Sequence, residues 1–185
     1  PYSVPNYLAD QLGQAPLSLE DDAVTATVTQ VRERVSRLMN IGGKTPTDHF
    51  HARLGEILYE GCGVSRNESK LRLAIEQIRQ LRDEFYRDLF IPGTQGQFNQ
   101  ELERAGRVED YLELAELMCV DALDRRESAG AHFREEFQTA DGEAQRNDAD
   151  WCFVSAWESG PEQTHIRHVE PLTFETIQLQ TRNYA

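Results

Sequence analysis

The sequence contains few cysteines and no long apolar run. Its three cysteines, Cys62, Cys119 and Cys152, lie far apart and form no C-x-x-C pair. That spacing excludes a disulfide framework and a cysteine cradle for zinc or an iron–sulfur cluster, and it suits a reducing, cytoplasmic compartment. No stretch approaches the ~20 consecutive apolar residues that span a membrane. No basic region followed by an apolar stretch predicts a signal peptide.

The familiar catalytic motifs are also missing. The sequence has no H-E-x-x-H, G-x-S-x-G or P-loop motif. Its nearest match to a dinucleotide-binding fingerprint is GCGVSR at 61–66, which has Arg66 in place of the third glycine and follows a predicted helix instead of a strand. The acidic loop 141–150 lacks the spacing of a calcium-binding loop. We therefore expect no catalytic, cofactor-binding or metal-binding residue in this chain.

Basic residues are scarce relative to acidic ones. The chain has 32 Asp and Glu against 19 Lys and Arg, and its net charge is −13. Such a surface repels phosphate backbones, which excludes nucleic acid as a partner. The acidic residues are spread along the predicted helices, where they keep the surface solvated.

Four segments carry apolar residues at every third or fourth position, which predicts amphipathic helices over about 19–39, 47–63, 67–90 and 98–126. Such helices are marginal alone, so they must pack on one another. The predicted fold is mainly α: an antiparallel three- to four-helix bundle, spectrin-repeat-like, with a small C-terminal β extension. The expected core positions are Val24, Val28, Val31, Val35 and Leu38 in the first helix, Leu71, Ala74, Ile78, Leu81 and Phe85 in the third, and Val108, Tyr111, Ala115, Met118 and Ala122 in the fourth.

The regions on either side of the bundle differ from it in composition. Residues 1–18 hold three prolines and a short predicted helix at 6–12, and they are expected to arrive from another domain. Residues 19–128 form the predicted bundle. Residues 129–185 form a predicted loop followed by two strands, at 151–158 and 174–179.

The segment RRESAGAHFREEF at 125–137 carries the densest polar pattern. We expect Arg125 and Arg126 in the last turn of the fourth helix, where cations suit the helix dipole, and Gly130 in a left-handed conformation. Two interpretations remain open: a capped helix followed by a solvated loop, or a loop whose His132 and Arg134 bond a second domain.

This segment resembles the C-terminal domain of the flavoprotein subunits of succinate dehydrogenase and fumarate reductase. That family ends a helix with E-S-x-G-A-H-x-R and places an R-x-D pair before an aromatic strand, patterns found here at 127–134 and 146–151. NYLA at 6–9, residues 71–85, residues 98–118 and the ending THIRHVEPLTFETIQLQTRNYA are also similar to the family. Ala129 stands where enterobacterial and mitochondrial members usually have arginine.

The resemblance implies an oxidoreductase whose whole subunit interconverts succinate and fumarate, in the tricarboxylic acid cycle and electron transport. The resemblance also implies that this whole subunit holds FAD covalently and passes electrons to an iron–sulfur subunit and quinone. The family's flavin-linking, catalytic and dicarboxylate-binding residues lie upstream of this domain, so the chain alone is expected to be inactive and to hold no cofactor.

The partners that the resemblance implies are the flavin domain, the iron–sulfur subunit and, indirectly, a membrane anchor, which would place the protein at the inner face of the cell membrane. The motif residues are candidates for those interfaces: Glu127, Ser128, Gly130, His132, Arg134, Arg146 and Asp148. Two alternatives stay open: the similar domain of L-aspartate oxidase, and a free-standing helical interaction module. The GAHFRE and RNYA segments favour the first interpretation.

Overall fold

The computed structural model describes residues 3–12, 18–161 and 164–180. Its helices are α1 Ser3–Gln11, α2 Asp22–Met39, α3 Thr47–Gly61, α4 Glu68–Asp88, α5 Gln100–Asp124 and α6 Asp148–Trp151. Its strands are β1 Thr45–Pro46, β2 Ser65–Arg66, β3 Leu89–Phe90, β4 Phe133–Arg134, β5 Phe153–Ser159 and β6 His165–Pro171. The prediction of a mainly helical bundle with a small C-terminal β part is confirmed.

The core lies where α3, α4 and α5 pack together. The five core positions predicted for α4 are all buried, because one side of this helix faces both neighbours. Phe50 of α3 and Phe85 of α4 meet edge to face, with ring centroids 5.3 Å apart, an arrangement that aromatic pairs favour. Cys119 of α5 is fully buried among them, as its apolar surroundings predict.

Asparagine side chains fix the beginnings of α4 and α5. Asn67 accepts a hydrogen bond from the backbone N–H of Lys70, and Asn99 accepts one from Leu102; both are N-caps of the usual kind. The start of α3 has no side-chain cap of this kind. Pro46 occupies the cap position, and Thr47 is the first helical residue.

The predicted core face of α2 is wrong except at its end. Only Leu38 is buried, whereas Val28 and Val31 are 41% and 56% exposed. The second half of α2 meets α5 through ion pairs from Arg34 and Arg37 to Glu109, with 2.9 Å separating Arg37 Nη2 and Glu109 Oε1. These ion pairs, together with the buried Leu38 and the partly buried Met39, hold α2 to the three-helix core.

Three of the five core positions predicted for α5, Val108, Ala115 and Ala122, are buried, and the other two are wrong. Tyr111 and Met118 are 42% and 44% exposed, while their neighbours Leu112 and Cys119 are fully buried. The small residues Ala115 and Ala122 lie on the buried side, as expected, and allow α4 to approach closely.

The second strand does not lie at 174–179, where we expected it. β5 pairs instead with β6 in antiparallel register, with Trp157 opposite Arg167. Next to the last strand pair, the Gly160 N–H donates to the Thr164 carbonyl at 2.8 Å. Trp157 Nε1 donates to Asp121 Oδ1 at 2.7 Å, which anchors the hairpin on α5.

The ends of the chain are described only in part. The helix expected at 6–12 is present as α1. Residues 1, 2 and 13–17 of the N-terminal segment, and the RNYA residues 182–185, lie outside the described residues. The division at 18/19 and 128/129 stays a prediction.

Candidate functional site

The end of α5 is capped by an arginine that lies well beyond it. Arg134 is 2% exposed, and its Nη1 donates to the carbonyl oxygens of Ala122 and Leu123 at 2.9 and 3.1 Å. The last C=O groups of a helix have no partner within it, and a cation stabilises that end of the helix dipole. The expected role of Arg125 and Arg126 in the last turn is wrong, because the helix ends at Asp124.

One hydroxyl group closes the turn between residues 128 and 134. Ser128 Oγ accepts from the Arg134 backbone N–H at 2.8 Å and donates to the Arg134 carbonyl at 3.2 Å. Ser128 is fully buried. Within the turn, Ala129 and His132 exchange backbone hydrogen bonds of 2.9 and 3.1 Å. Gly130 has a φ of +61°, so the predicted left-handed conformation is confirmed.

His132 sits in the turn as a neutral ring. Its Nδ1 lies 3.1 Å from Arg66 Nη1, and its Nε2 lies 3.1 Å from the Arg125 carbonyl. A guanidinium can only donate, so Nδ1 accepts and Nε2 carries the proton. Burial lowers the pKa of His132, and the charges of Arg66, Arg134 and Arg125 lower it further against the raising effect of the Arg125 carbonyl.

The acidic residues after Arg134 tie the turn to the start of α4. Glu135 Oε1 and Oε2 accept from Ser65 Oγ at 2.8 Å and Asn67 Nδ2 at 2.9 Å, and the two hydrogen bonds lower the pKa of Glu135. Glu136 accepts from the backbone N–H of Glu68 at the positive end of α4, and from Arg134 Nε at 3.0 Å.

The R-x-D part of the pattern packs beside the turn. Glu127 is 2% exposed, and its carboxylate accepts from Arg125 Nε and from the Asn147 backbone N–H, both at 2.9 Å. Arg146 pairs with Asp148 at 2.7 Å. The two halves of the motif therefore form one hydrogen-bonded unit.

A family model described as the C-terminal region of the fumarate reductase flavoprotein matches residues 51–184. The chain belongs to this family. The fumarate reductase flavoprotein subunit of Proteus vulgaris is 30% identical to it over 112 residues, covering 60% of this chain and 19% of that protein. The succinate dehydrogenase flavoprotein subunit of Bacillus subtilis is 26% identical over 146 residues, covering 79% of this chain and 22% of that protein. The chain thus spans about a fifth of the length of these curated relatives.

Solved structures share the fold of this flavoprotein domain. A quinol fumarate reductase of Escherichia coli superposes with a TM-score of 0.77 at 24% identity, covering 94% of this chain and 28% of that chain. Adenylylsulfate reductase from Archaeoglobus fulgidus superposes with a TM-score of 0.69 at 18% identity, covering 97% and 29%. At these identities the likeness shows the fold alone.

The structure places the seven motif residues of this family member in one region, and the six that have side chains form hydrogen bonds within the chain. Glu127, Ser128 and Arg134 are buried, and His132 and Asp148 are half-buried. Each of these side chains has a partner within the chain. A role for the motif residues toward a neighbouring domain or subunit stays a prediction.

Two buried carboxylates of α5 escaped the sequence analysis. Glu109 is 8% exposed and Glu116 is 2% exposed. Glu116 accepts from Arg79 Nε at 2.7 Å and from Arg82 Nη1 at 2.6 Å. These hydrogen bonds and charges hold the pKa of Glu116 below its ordinary value, although burial acts in the opposite direction. The sequence did hold a sign that these two glutamates are buried. They lie seven residues apart, on a side of α5 that is otherwise apolar.

The glycines of GCGVSR do not fit a flavin pyrophosphate. A Cβ added to Gly61 would lie 2.5 Å from Ala74 Cβ of α4, and one added to Gly63 would lie 2.6 Å from the Tyr59 carbonyl. These glycines permit close packing of the chain on itself, and they follow a helix, whereas a dinucleotide cradle opens one. No group of metal-binding side chains occurs in the described residues. No described helix is long and apolar enough to cross a membrane.

Proposed function

We propose that the chain is the helical C-terminal domain of a succinate dehydrogenase or fumarate reductase flavoprotein subunit, and that it serves the subunit as a structural part. The family match over residues 51–184 is the observation that carries this proposal. In the parent subunit, FAD would transfer two hydrogens between succinate and fumarate, and electrons would pass to an iron–sulfur subunit and quinone.

The chemistry is assigned to the upstream part of the parent subunit. The protein of a flavoenzyme binds and orients the cofactor, and the glycine pair of this chain is filled by its own packing. The side chains of the polar motif at 125–137 also have partners within the chain, since Arg134, Ser128 and Glu127 stabilise the end of α5 and the turn after it. We therefore assign no catalytic residue to the chain.

Exposed apolar side chains at both ends of the chain support a packing role. Val4, Tyr7 and Leu8 on α1 are 55–64% exposed. Phe174 and Ile177, after β6, are 49% and 73% exposed. Contiguous exposed apolar groups mark surfaces that another protein body covers. The flavin domain of the same subunit is the proposed neighbour of these two segments, and the iron–sulfur subunit is the proposed partner of the assembled protein.

The proposal is tested on the gene that encodes the chain. We expect its reading frame to continue upstream of Pro1 into a glycine-rich flavin domain. The full-length product should be yellow and should reduce fumarate with a reduced viologen dye, whereas the 185-residue chain should be colourless and inactive. Oxidation of L-aspartate by the full-length product would favour the aspartate oxidase alternative. A reading frame that ends near Pro1 would favour a free-standing module.

A further inference from the structure

A cleft of about 310 Å³ lies between the start of α3 and the middle of α5, and nothing in the proposed function uses it. Its volume falls at the lower end of the range for small-molecule sites, about 300–1,000 Å³. Its lining includes Thr47, Asp48 and His51 from α3, and Arg104, Arg107 and Tyr111 from α5.

Thr47, which lines this cleft, gives a reason to expect a ligand there. Thr47 is 2% exposed, and its Oγ1 has no hydrogen-bond partner among the described residues. A buried hydroxyl without a partner costs free energy, and most buried polar groups avoid that cost. An acceptor oxygen in the cleft would supply the missing partner, which makes this orphaned donor a reason to expect a ligand.

The charges around the cleft favour an anion. α3 begins here, and its cap residue Pro46 supplies no side-chain acceptor for the N–H groups of the first turn, so the positive end of the helix is uncompensated by a cap. Among the described residues, the ion pairs of these two arginines stay on their own helix, Arg104 with Glu101 at 2.8 Å and Arg107 with Glu103 at 2.5 Å. Exposed pairs of this kind are weak, so both guanidinium groups can turn to a ligand.

One group in the cleft opposes an anion. Asp48 lies in the first turn of α3 and carries a carboxylate into the same lining. Its charge opposes the charges of the two arginines and the positive end of α3. The rings of His51 and Tyr111, with centroids 6.0 Å apart, form a wall for the uncharged part of a ligand.

We infer that this cleft binds the oxyanion of a small molecule, a carboxylate or a phosphate, between Thr47 Oγ1, the start of α3 and the guanidinium groups of Arg104 and Arg107. This site is separate from the turn at 125–137 and holds whether or not the proposed function is correct.

The test titrates the full 185-residue chain with inorganic phosphate and, separately, with acetate, at constant ionic strength set with sodium chloride. Amide chemical shifts are followed by NMR. We expect saturable shifts confined to residues near 47–51 and 104–111. The probe that binds more tightly identifies the oxyanion as a phosphate or a carboxylate. No saturable shift with either probe would overturn the inference.

Three variants and a control sharpen the result. Thr47→Val keeps the shape and removes the orphaned hydroxyl, so it should leave the melting temperature unchanged or higher while weakening binding about tenfold, the change that about 1.4 kcal/mol produces. Arg107→Gln should weaken binding, and Asp48→Asn should strengthen it. Arg72→Gln, which alters an exposed pair on α4, should change nothing.

The pattern across these variants decides between a built site and general attraction of anions to arginines. Equal losses for Arg72→Gln and Arg107→Gln, or unchanged affinity in Thr47→Val, would contradict the inference. The exposure of both arginines means that their variants should fold normally, which the dispersion of the same NMR spectra checks directly.

Discussion

Ser128 and Arg134 hold each other through a single hydroxyl group, which accepts from the Arg134 N–H at 2.8 Å and donates to the Arg134 carbonyl at 3.2 Å. Both ends of the bond lie in the interior. This contact fixes the backbone at the point where the Arg134 side chain turns back to α5. The stability of the turn therefore depends on an uncharged residue as much as on its charges.

Ser128→Ala should destabilise the chain by about 1–3 kcal/mol, the cost of leaving buried backbone groups without partners. Urea unfolding followed by circular dichroism measures the change. Ser69→Ala is the matched control, because Ser69 is exposed and its hydroxyl donates only to Asn67. The control should change stability by less than about 0.5 kcal/mol. Equal effects of the two variants would show that the turn does not depend on the Ser128 hydroxyl.

Arg134→Ala should cost at least about 1.5–3 kcal/mol, the contribution of hydrogen bonds to a charged group, because the Ala122 and Leu123 carbonyls lose their donor. Arg134→Lys should recover only part of the loss, since an ammonium group cannot reproduce the guanidinium fork that reaches α5 and Glu136 together. Urea unfolding again supplies the measurement.

The control for Arg134 is Arg72→Ala, which removes an exposed pair with Glu68 and should cost about 0.5 kcal/mol or less. An Arg134→Ala variant as stable as this control would mean that the buried arginine serves a neighbouring surface and not α5, which was the second interpretation of the motif.

The sequence predicted the helices well because helical periodicity is local. Asn67 marked the start of α4, and the α4 core residues follow from spacing alone. The buried face of α2 depended on contacts between distant residues. The ion pairs of Arg34 and Arg37 with Glu109 attach α2, and no local pattern reveals them. The position of β6 was missed for the same reason, since its pairing with β5 is a contact between two segments and leaves no alternating pattern in β6.

The sequence indicated segment 125–137 as a polar cluster but not the partners of its side chains, and its role toward a neighbouring domain stays a prediction. The crowding of charges around His132 indicated a polar cluster. Its partners Arg66 and Asn147 come from elsewhere in the chain, so sequence position gave no sign of them. The Arg134 side chain faces inward because the turn that Ser128 closes directs it toward α5, and the sequence pattern does not show this.

The neutral ring of His132 predicts a loss of stability in mild acid. Its pKa in the folded chain is lowered from the ordinary value of 6.5. As the pH falls, the unfolded chain binds the proton before the folded chain does. The contribution of His132 to the free energy of unfolding is therefore fully present above pH 6.5, and it is lost as the pH falls from there toward the folded-state pKa. We expect His132→Gln to flatten this part of the stability curve, measured by urea unfolding between about pH 7.5 and pH 5.

The nearby glutamates do not titrate in the pH range where the His132 effect is measured. The pKa values of Glu135 and Glu136 are lowered from 4.5, so their contributions are lost only at lower pH. His49→Gln is the control, because His49 is an exposed residue of α3. If His132→Gln and the wild-type chain lost stability in parallel from about pH 7 to pH 5, the neutral-ring assignment would be wrong.

Alanine substitutions at Gly106 and Gly130 should change the stability of the chain in opposite directions. Gly106 lies inside α5, and an added Cβ would meet nothing within 4 Å; Gly106→Ala should therefore stabilise the chain by about 0.5–1 kcal/mol.

Gly130 also has open space around it, but its φ is +61°. Gly130→Ala should cost about 1–2 kcal/mol, because the left-handed conformation brings a Cβ close to the following carbonyl oxygen. Gly130→Asn should cost less, since asparagine tolerates that conformation, and thermal melts of all three variants measure the differences. A stabilising Gly130→Ala would mean that the turn can relax to an ordinary conformation while Ser128 still holds Arg134.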